Sequence, residues 1–182
     1  HYNSFFSNIG NELASKIKLS NKNFNDYLTH PNENSFFISP TTPEEIEDYI
    51  NSIIKVDKST GPNSIPNSVL KLTSSLINKP ISTMINNSFK SGHFPDLLKV
   101  AKVVPIHKKG SKLDCSNYRP ISLLSNISKI FEKVMYDKVH KFLNQYQCLF
   151  KYQFGFSHTH STAQTLIEVT EKVRDAIDSG QY

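Results

Sequence analysis

The chain has 182 residues, of which 37% are hydrophobic and 20% charged, a composition typical of a globular domain with a polar surface. No apolar run approaches the ~20 residues of a membrane-spanning helix, and no secretory signal follows His1. The missing initial methionine predicts a fragment of a longer protein. Two cysteines, Cys115 and Cys148, are too few for a disulfide framework and favour an intracellular location, cytoplasm or nucleus.

The net charge of +5 is concentrated in one block. From Lys99 to Lys151 there are eleven Lys or Arg and three Asp or Glu, a balance of +8, so the remaining residues sum to −3. A basic block in a mildly acidic chain favours a polyanionic partner. An ordinary lysine-rich, solvated surface explains the composition equally well.

Residues 1–40 are rich in Asn, Ser and Phe. The segment from Phe5 onward predicts a short amphipathic helix with Ile9, Leu13 and Ile17 on one face. A loop follows it, and we interpret 1–40 as a linker or extension that precedes the next domain.

A helix with strong start signals follows. Thr42 suits the N-cap, Pro43 the first helical position, and Glu45 completes a capping box. The apolar residues then recur at helical spacing: Ile46, Tyr49, Ile50 and Ile53.

Two further helices are predicted near 66–77 and 80–91. We expect Pro66 and Pro80 to occupy first-turn positions, where a proline costs least, and Gly92 to end the second helix.

The next segment predicts a β-hairpin with a basic tip. The outgoing strand contains valines and Pro105, which indicates an edge; the turn is "KKGSK", and "NYRPISLL" returns. Lys108 and Lys109 stand just before the turn glycine, Gly110, and Arg119 lies on the return strand, so three cations could converge on a phosphate. Pro120 restricts Arg119 to extended geometry. An ordinary solvated hairpin tip explains this pattern about as well as a phosphate-binding site does.

Two helices complete the predicted elements. The first has its inward residues at helical spacing: Ile127, Ile130, Phe131, Val134 and Phe142. After a loop around Gly155, the last helix begins at Ser161 with Gln164 in the capping-box position and ends at Gly180.

Other chemistry has little support. His158, His160 and Cys148 lack the tight paired spacing of a zinc site, so a surface loop is the favoured interpretation. Two-metal phosphoryl transfer needs carboxylates on adjacent strand ends, and no apolar strand carries an Asp. We therefore predict no catalytic residues and no bound metal in this chain.

Three segments carry a resemblance to a known family. They are "KSTGPNSIPNSVLK", "GHFPDLLKVAKVVPIHKKGSKLDCSNYRPISLLSNISKIFEKVM" and "QFGFSHTHSTAQTL". In order and spacing they resemble the front half of the reverse transcriptase domain of non-long-terminal-repeat (non-LTR), LINE-like retrotransposons. The resemblance runs from about Ile38 to Tyr182.

The resemblance implies an RNA-directed DNA polymerase, a nucleotidyltransferase, and a helix-rich α+β fold. Residues 41–182 would be the fingers, with the hairpin, and the start of the palm, ending before the catalytic aspartates. By the same resemblance the nucleotide- and template-binding residues would be Lys108, Lys109, Arg119, Gln153, Phe154 and Gly155.

The family also implies partners that the complete enzyme would use. These are an RNA template, a DNA primer, a deoxynucleoside triphosphate (dNTP), Mg²⁺ and the remainder of the polyprotein, with no membrane. Ser157 departs from the family, which usually has Arg there. We expect the chain alone to be inactive, and two alternatives stay open: a non-catalytic nucleic-acid-binding module, or the product of a decayed element.

Overall fold

The computed structural model describes residues 1–18, 20–27, 33–62, 65–150, 152–156 and 160–180. The chain divides into two compact units, His1–Val139 and His140–Tyr182. The described residues are mostly helical, with one two-stranded antiparallel sheet, which agrees with the predicted helix-rich α+β class. Within these ranges, none of the helices has the length and apolar character to cross a bilayer.

The elements follow one another in a simple order. The α-helices are α1 (Tyr2–Ser15), α2 (Pro43–Ile53), α3 (Asn67–Leu72), α4 (Ser74–Ser91), α5 (Asn126–Gln145) and α6 (Thr162–Asp178). The strands are β1 (Lys102–His107) and β2 (Tyr118–Leu123), and short 3₁₀ turns lie at Phe24–Tyr27, Asp96–Leu98 and Cys115–Asn117.

Helix α2 begins at the predicted capping box. The Thr42 hydroxyl accepts a hydrogen bond from the Glu45 N–H at 3.3 Å, and the Glu45 carboxylate accepts one from the Thr42 N–H at 3.1 Å. The Thr41 hydroxyl donates to the same carboxylate at 2.7 Å. Because two N–H groups at the helix start are satisfied locally, this boundary was predictable from the sequence.

The core of the first unit is built from one apolar face on each of several helices. Phe131 of α5 is buried in it and meets the Phe94 ring edge-on, with centroids 5.3 Å apart. The buried cluster consists of Ile46, Ile50, Ile54, Leu70, Ile81, Ile85, Leu98, Ile130, Phe131 and Val134. The inward faces predicted for α2 and for the first half of α5 are therefore confirmed, except that Ile54 lies in the cluster where Ile53 was predicted.

Helix α4 departs from the prediction. It begins at Ser74, so Pro80 lies inside the helix and not in its first turn. An interior proline lacks an N–H donor and costs about 3 kcal/mol. The helix continues because Ile77, Ile81 and Ile85 keep the same face on the core on both sides of the proline. Burial of this face offsets the local cost.

The boundaries around α3 and α4 are otherwise close to the prediction. Helix α3 is shorter than the predicted 66–77, and Pro66 is its N-cap and precedes the first turn. Gly92 ends α4 in the left-handed conformation with φ 67°, as predicted.

Helix α1 forms as predicted, but its predicted apolar face is not buried. Leu13 and Ile17 are exposed, and Ile17 lies beyond the end of the helix. The helix instead contacts the hairpin through Tyr2, whose ring lies 4.9 Å from that of Tyr118. The proposal that 1–40 is a separate linker stays a prediction.

A buried amide network connects the loop after α2 to the start of α5. The side-chain amide of Asn67 donates to the carbonyls of Lys55 at 2.7 Å and Lys58 at 2.8 Å, and its oxygen accepts from Asn126. Asn67 and Asn126 are both buried. One side chain thus satisfies three polar groups from two segments that are far apart in sequence.

We expect Asn67→Ala to destabilise the chain by about 1–3 kcal/mol. The substitution leaves the buried Asn126 amide and the Lys58 carbonyl without this partner, while the Lys55 carbonyl keeps its bond from the Lys58 N–H. A buried unsatisfied group costs about 1–3 kcal/mol. Urea unfolding should show a lower midpoint with an unchanged slope.

The control is Asn87→Ala, because Asn87 lies exposed on α4. It should change the free energy of unfolding by less than about 0.5 kcal/mol. Equal effects of the two substitutions would contradict a structural role for the network.

Candidate nucleic-acid interface

The hairpin has a register set by two facing prolines. Pro105 pairs with Pro120, Ile106 with Arg119, and His107 with Tyr118. Prolines cannot donate a hydrogen bond, so they fit only where facing residues exchange none. Arg119 lies exposed on β2, the returning strand of this two-stranded ribbon. Its place on the returning strand agrees with the sequence prediction.

The connection between the strands is longer than the predicted turn. It runs from residue 108 to 117 and contains a 3₁₀ turn at Cys115–Asn117. The Asp114 carboxylate caps this turn by accepting the Ser116 N–H at 2.9 Å. This capped turn reverses the chain inside the connection. The predicted turn, "KKGSK", is therefore only the first half of the connection. We call residues 108–117 the basic loop.

Hydrogen bonds within the hairpin fix the shape of the basic loop. The Lys108 N–H donates to the Asn117 carbonyl at 2.8 Å, and the Asn117 side chain donates to the Ser111 carbonyl at 3.0 Å. The Tyr118 hydroxyl donates to the Lys112 carbonyl at 3.0 Å. These bonds are made by backbone groups and uncharged side chains, so they leave the lysine ammonium groups available.

Gly110 is required at the tip of the loop. Its φ is 79°, and a Cβ there would lie 2.7 Å from the Asn117 side-chain nitrogen. Any other residue would be strained and would also displace Asn117 from its bond to Ser111. His107 adds a further contact, because its Nε2 lies 3.1 Å from the Gly110 carbonyl oxygen.

Helix α1 packs against one side of the hairpin. A side-chain hydrogen bond between Tyr2 of α1 and Tyr118 of β2 is the main reason that the pKa of Tyr2 is raised to about 12. Cys115 is buried, and α1 and the loop line one groove whose walls include Phe5, Ile9, Leu113 and Cys115. The loop is therefore packed on one side and open to solvent on the other.

The cations of the hairpin are exposed. No salt bridge to a described residue is formed by Lys108, Lys109 or Arg119. The same holds for Lys112, which is not among the predicted site residues. Lys112 follows Gly110 by two residues and belongs to the same loop, so its position in "KKGSK" was the available clue. Exposed cations without an acidic partner are suited to binding an anion.

A structural role for Arg119 has no support in the geometry. A structural role would pair the Arg119 guanidinium with a nearby carboxylate such as that of Asp114. The Asp114 carboxylate instead accepts hydrogen bonds from the Ser116 backbone and side chain, and these lower its pKa. No salt bridge joins Asp114 and Arg119 in the described structure.

The second group of predicted residues lies in the second unit. The Gln153 amide donates to the Gly155 carbonyl at 2.9 Å, which closes a tight turn. The Phe154 ring lies 5.1 Å from the His160 ring. Helix α6 then begins with the predicted capping box between Ser161 and Gln164. Ser157 and His158 lie outside the described residues.

The two predicted groups occupy different units, so their roles as one binding site stay predictions. Over the described part of the chain, no three His, Cys, Asp or Glu side chains lie close enough together to hold a metal ion.

Comparison with known proteins agrees with the resemblance seen in the sequence. No family model matches the chain. The probable RNA-directed DNA polymerase from transposon BS of Drosophila melanogaster is 31% identical over 158 residues, 86% of this chain and 17% of that protein. The X-element polymerase of the same fly is 31% identical over 79% of this chain and 16% of its own length.

A third relative is the RNA-directed DNA polymerase from mobile element jockey, also of Drosophila melanogaster. It is 28% identical over 86% of this chain, and this chain spans 17% of its length. The resemblance predicted from the three segments is therefore confirmed: the chain is homologous to part of the RNA-directed DNA polymerases of non-LTR retrotransposons.

Proposed function

We propose that this chain forms the fingers and early palm of an RNA-directed DNA polymerase, with the basic loop and Arg119 binding phosphate groups. The observation that carries the proposal is the preorganised hairpin. Its four exposed cations lie on a hydrogen-bonded scaffold and have no acidic partner among the described residues. The polymerase relatives support the same assignment.

The chemistry of the hairpin suits a triphosphate or a nucleic-acid backbone. Lysine supplies a mobile point charge, and arginine a planar fork that can hold two phosphate oxygens. A loop that is already ordered loses little conformational entropy on binding. The hairpin would thus position a negatively charged substrate, and an ordered arginine would hold it in one orientation.

The complete polymerase would copy an RNA template onto a DNA primer from dNTPs, with Mg²⁺ ions stabilising the charge of the reacting phosphates. We propose that this chain contributes the positioning of substrate phosphates by its cations.

The turn made by Gln153, Phe154 and Gly155 would line the path of the template or the nucleotide. We place the complete protein inside the cell, in the cytoplasm or nucleus, as one part of a polyprotein. A separate, non-catalytic binding module is the weaker proposal, because the three compared relatives are named as polymerases.

We expect the 182-residue chain to bind single-stranded RNA with an affinity that falls steeply as salt rises. Each neutralised phosphate of a single strand adds roughly 0.7 to the slope of log affinity against log salt. The double substitution Lys108→Gln with Lys109→Gln should lower that slope by up to about 1.4. Fluorescence anisotropy at several salt concentrations measures it.

The matched control is Lys79→Gln with Lys90→Gln. These lysines are exposed on α4, so the net charge changes equally while the hairpin stays intact. The control should leave the slope nearly unchanged. Equal losses in both variants would mean that the RNA responds to total charge, which contradicts a site on the basic loop.

In the complete polymerase, we expect Arg119→Ala to impair use of the nucleotide by about 10- to 100-fold. A hydrogen bond to a charged group contributes about 1.5–3 kcal/mol, which gives a loss of this size. Arg119→Lys should restore part of it, because the charge remains but the planar fork does not.

Steady-state kinetics and the melting temperature, measured on the same variants, separate binding from stability. Arg119 is exposed, so the melting temperature should stay nearly constant. A large melting shift with unchanged kinetics would assign Arg119 to the fold.

A further inference from the structure

Phe156 combines two features that are unfavourable in isolation. Its side chain is fully exposed, and its backbone φ is 61°, in the left-handed region. A bulky residue rarely adopts this conformation, because its Cβ crowds the following carbonyl oxygen. Exposure of the whole ring also forgoes the gain from burying it. An outlier of this kind suggests a functional constraint.

The neighbouring aromatic residues differ from Phe156 because each already has a partner. The Tyr152 ring lies 5.3 Å from the Phe150 ring, and the Lys172 ammonium lies 3.5 Å from its centroid. Phe154 contacts the ring of His160. Among the described residues, Phe156 has no ring or cation beside it.

The turn before Phe156 fixes where its ring is presented. The Gln153 amide bonds the Gly155 carbonyl, and the Gln153 N–H donates to the Phe150 carbonyl at 2.9 Å. These two bonds order the backbone of the turn up to Gly155, the residue directly before Phe156.

We propose that Phe156 is a stacking platform for one unpaired base of single-stranded nucleic acid. The inference rests on the proposed function, in which the chain binds a nucleic-acid strand. A flat apolar ring with open faces matches the face of any base, so it would bind without sequence preference. Stacking would cover the ring and offset the cost of its exposed, left-handed conformation.

Tryptophan fluorescence gives a direct test, because the chain contains no tryptophan. Phe156→Trp places a single reporter at the proposed platform. Adding a single-stranded RNA oligonucleotide should quench its emission. An abasic oligonucleotide of equal length and charge should bind with little quenching, because it has no base to stack.

The matched control is Phe37→Trp, at an exposed aromatic position of the first unit. Its emission should change little with either oligonucleotide. Equal quenching at the two positions, or equal quenching by the abasic strand, would overturn the proposal. Blue-shifted emission of the free Phe156→Trp chain would also overturn it, since the ring would then be covered by protein.

Affinity measurements add a second, independent readout. Phe156→Ala should weaken RNA binding about 5- to 150-fold at every salt concentration without changing the salt slope, and Phe156→Tyr should retain most of the affinity. If RNA binds with the expected salt dependence but Phe156→Ala has full affinity, only the stacking proposal fails. If the unsubstituted chain does not bind RNA, the proposed function fails, and the stacking proposal fails with it.

Discussion

Burial of the apolar faces of α2, α4 and α5 in one cluster is the constraint on which the hairpin depends. The cluster includes Leu98, four residues before β1, and the Leu98 carbonyl accepts a hydrogen bond from the buried Ser128 hydroxyl of α5 at 2.7 Å. At the other end, Gly61 packs so closely on Leu124 that a Cβ would lie 2.3 Å from the Leu124 carbonyl oxygen. The segment before β1 is thus anchored in the core, and the residue after β2 packs against the loop at Gly61, so both ends of the hairpin are held in place.

The basic loop uses a different source of order. It contributes no residue to the buried cluster and takes its shape from short-range bonds made by Asn117, Tyr118 and Asp114. These bonds need no charged partner for Lys108, Lys109 or Lys112. The loop can therefore be rigid and strongly positive at once, a combination that favours binding of a polyanion and makes it sensitive to salt.

Several features were predictable because the interactions behind them are local. The capping boxes of α2 and α6 connect residues three positions apart, so Thr42 with Glu45 and Ser161 with Gln164 identified both helix starts. The periodicity of α5 predicted its buried face, and the valines before the "KKGSK" turn predicted the outgoing strand of the hairpin. The order and spacing of three motifs were enough to identify the relatives.

The remaining features depend on contacts between residues that are distant in the sequence. Whether Pro80 starts a helix or lies inside one was decided by the core, which buries the residues on both sides of it. The hydrogen bond between Asn67 and Asn126 forms only when α3 and the start of α5 have come together in the folded chain. The docking of α1 through Tyr2 also needed the folded hairpin. The sequence by itself determined the starts of α2 and α6, the two strands, the basic charge and the relatives. The tertiary structure decided the path of α4, the buried amide network and the support behind the basic loop, because each depends on free energy gained only when separate segments pack together.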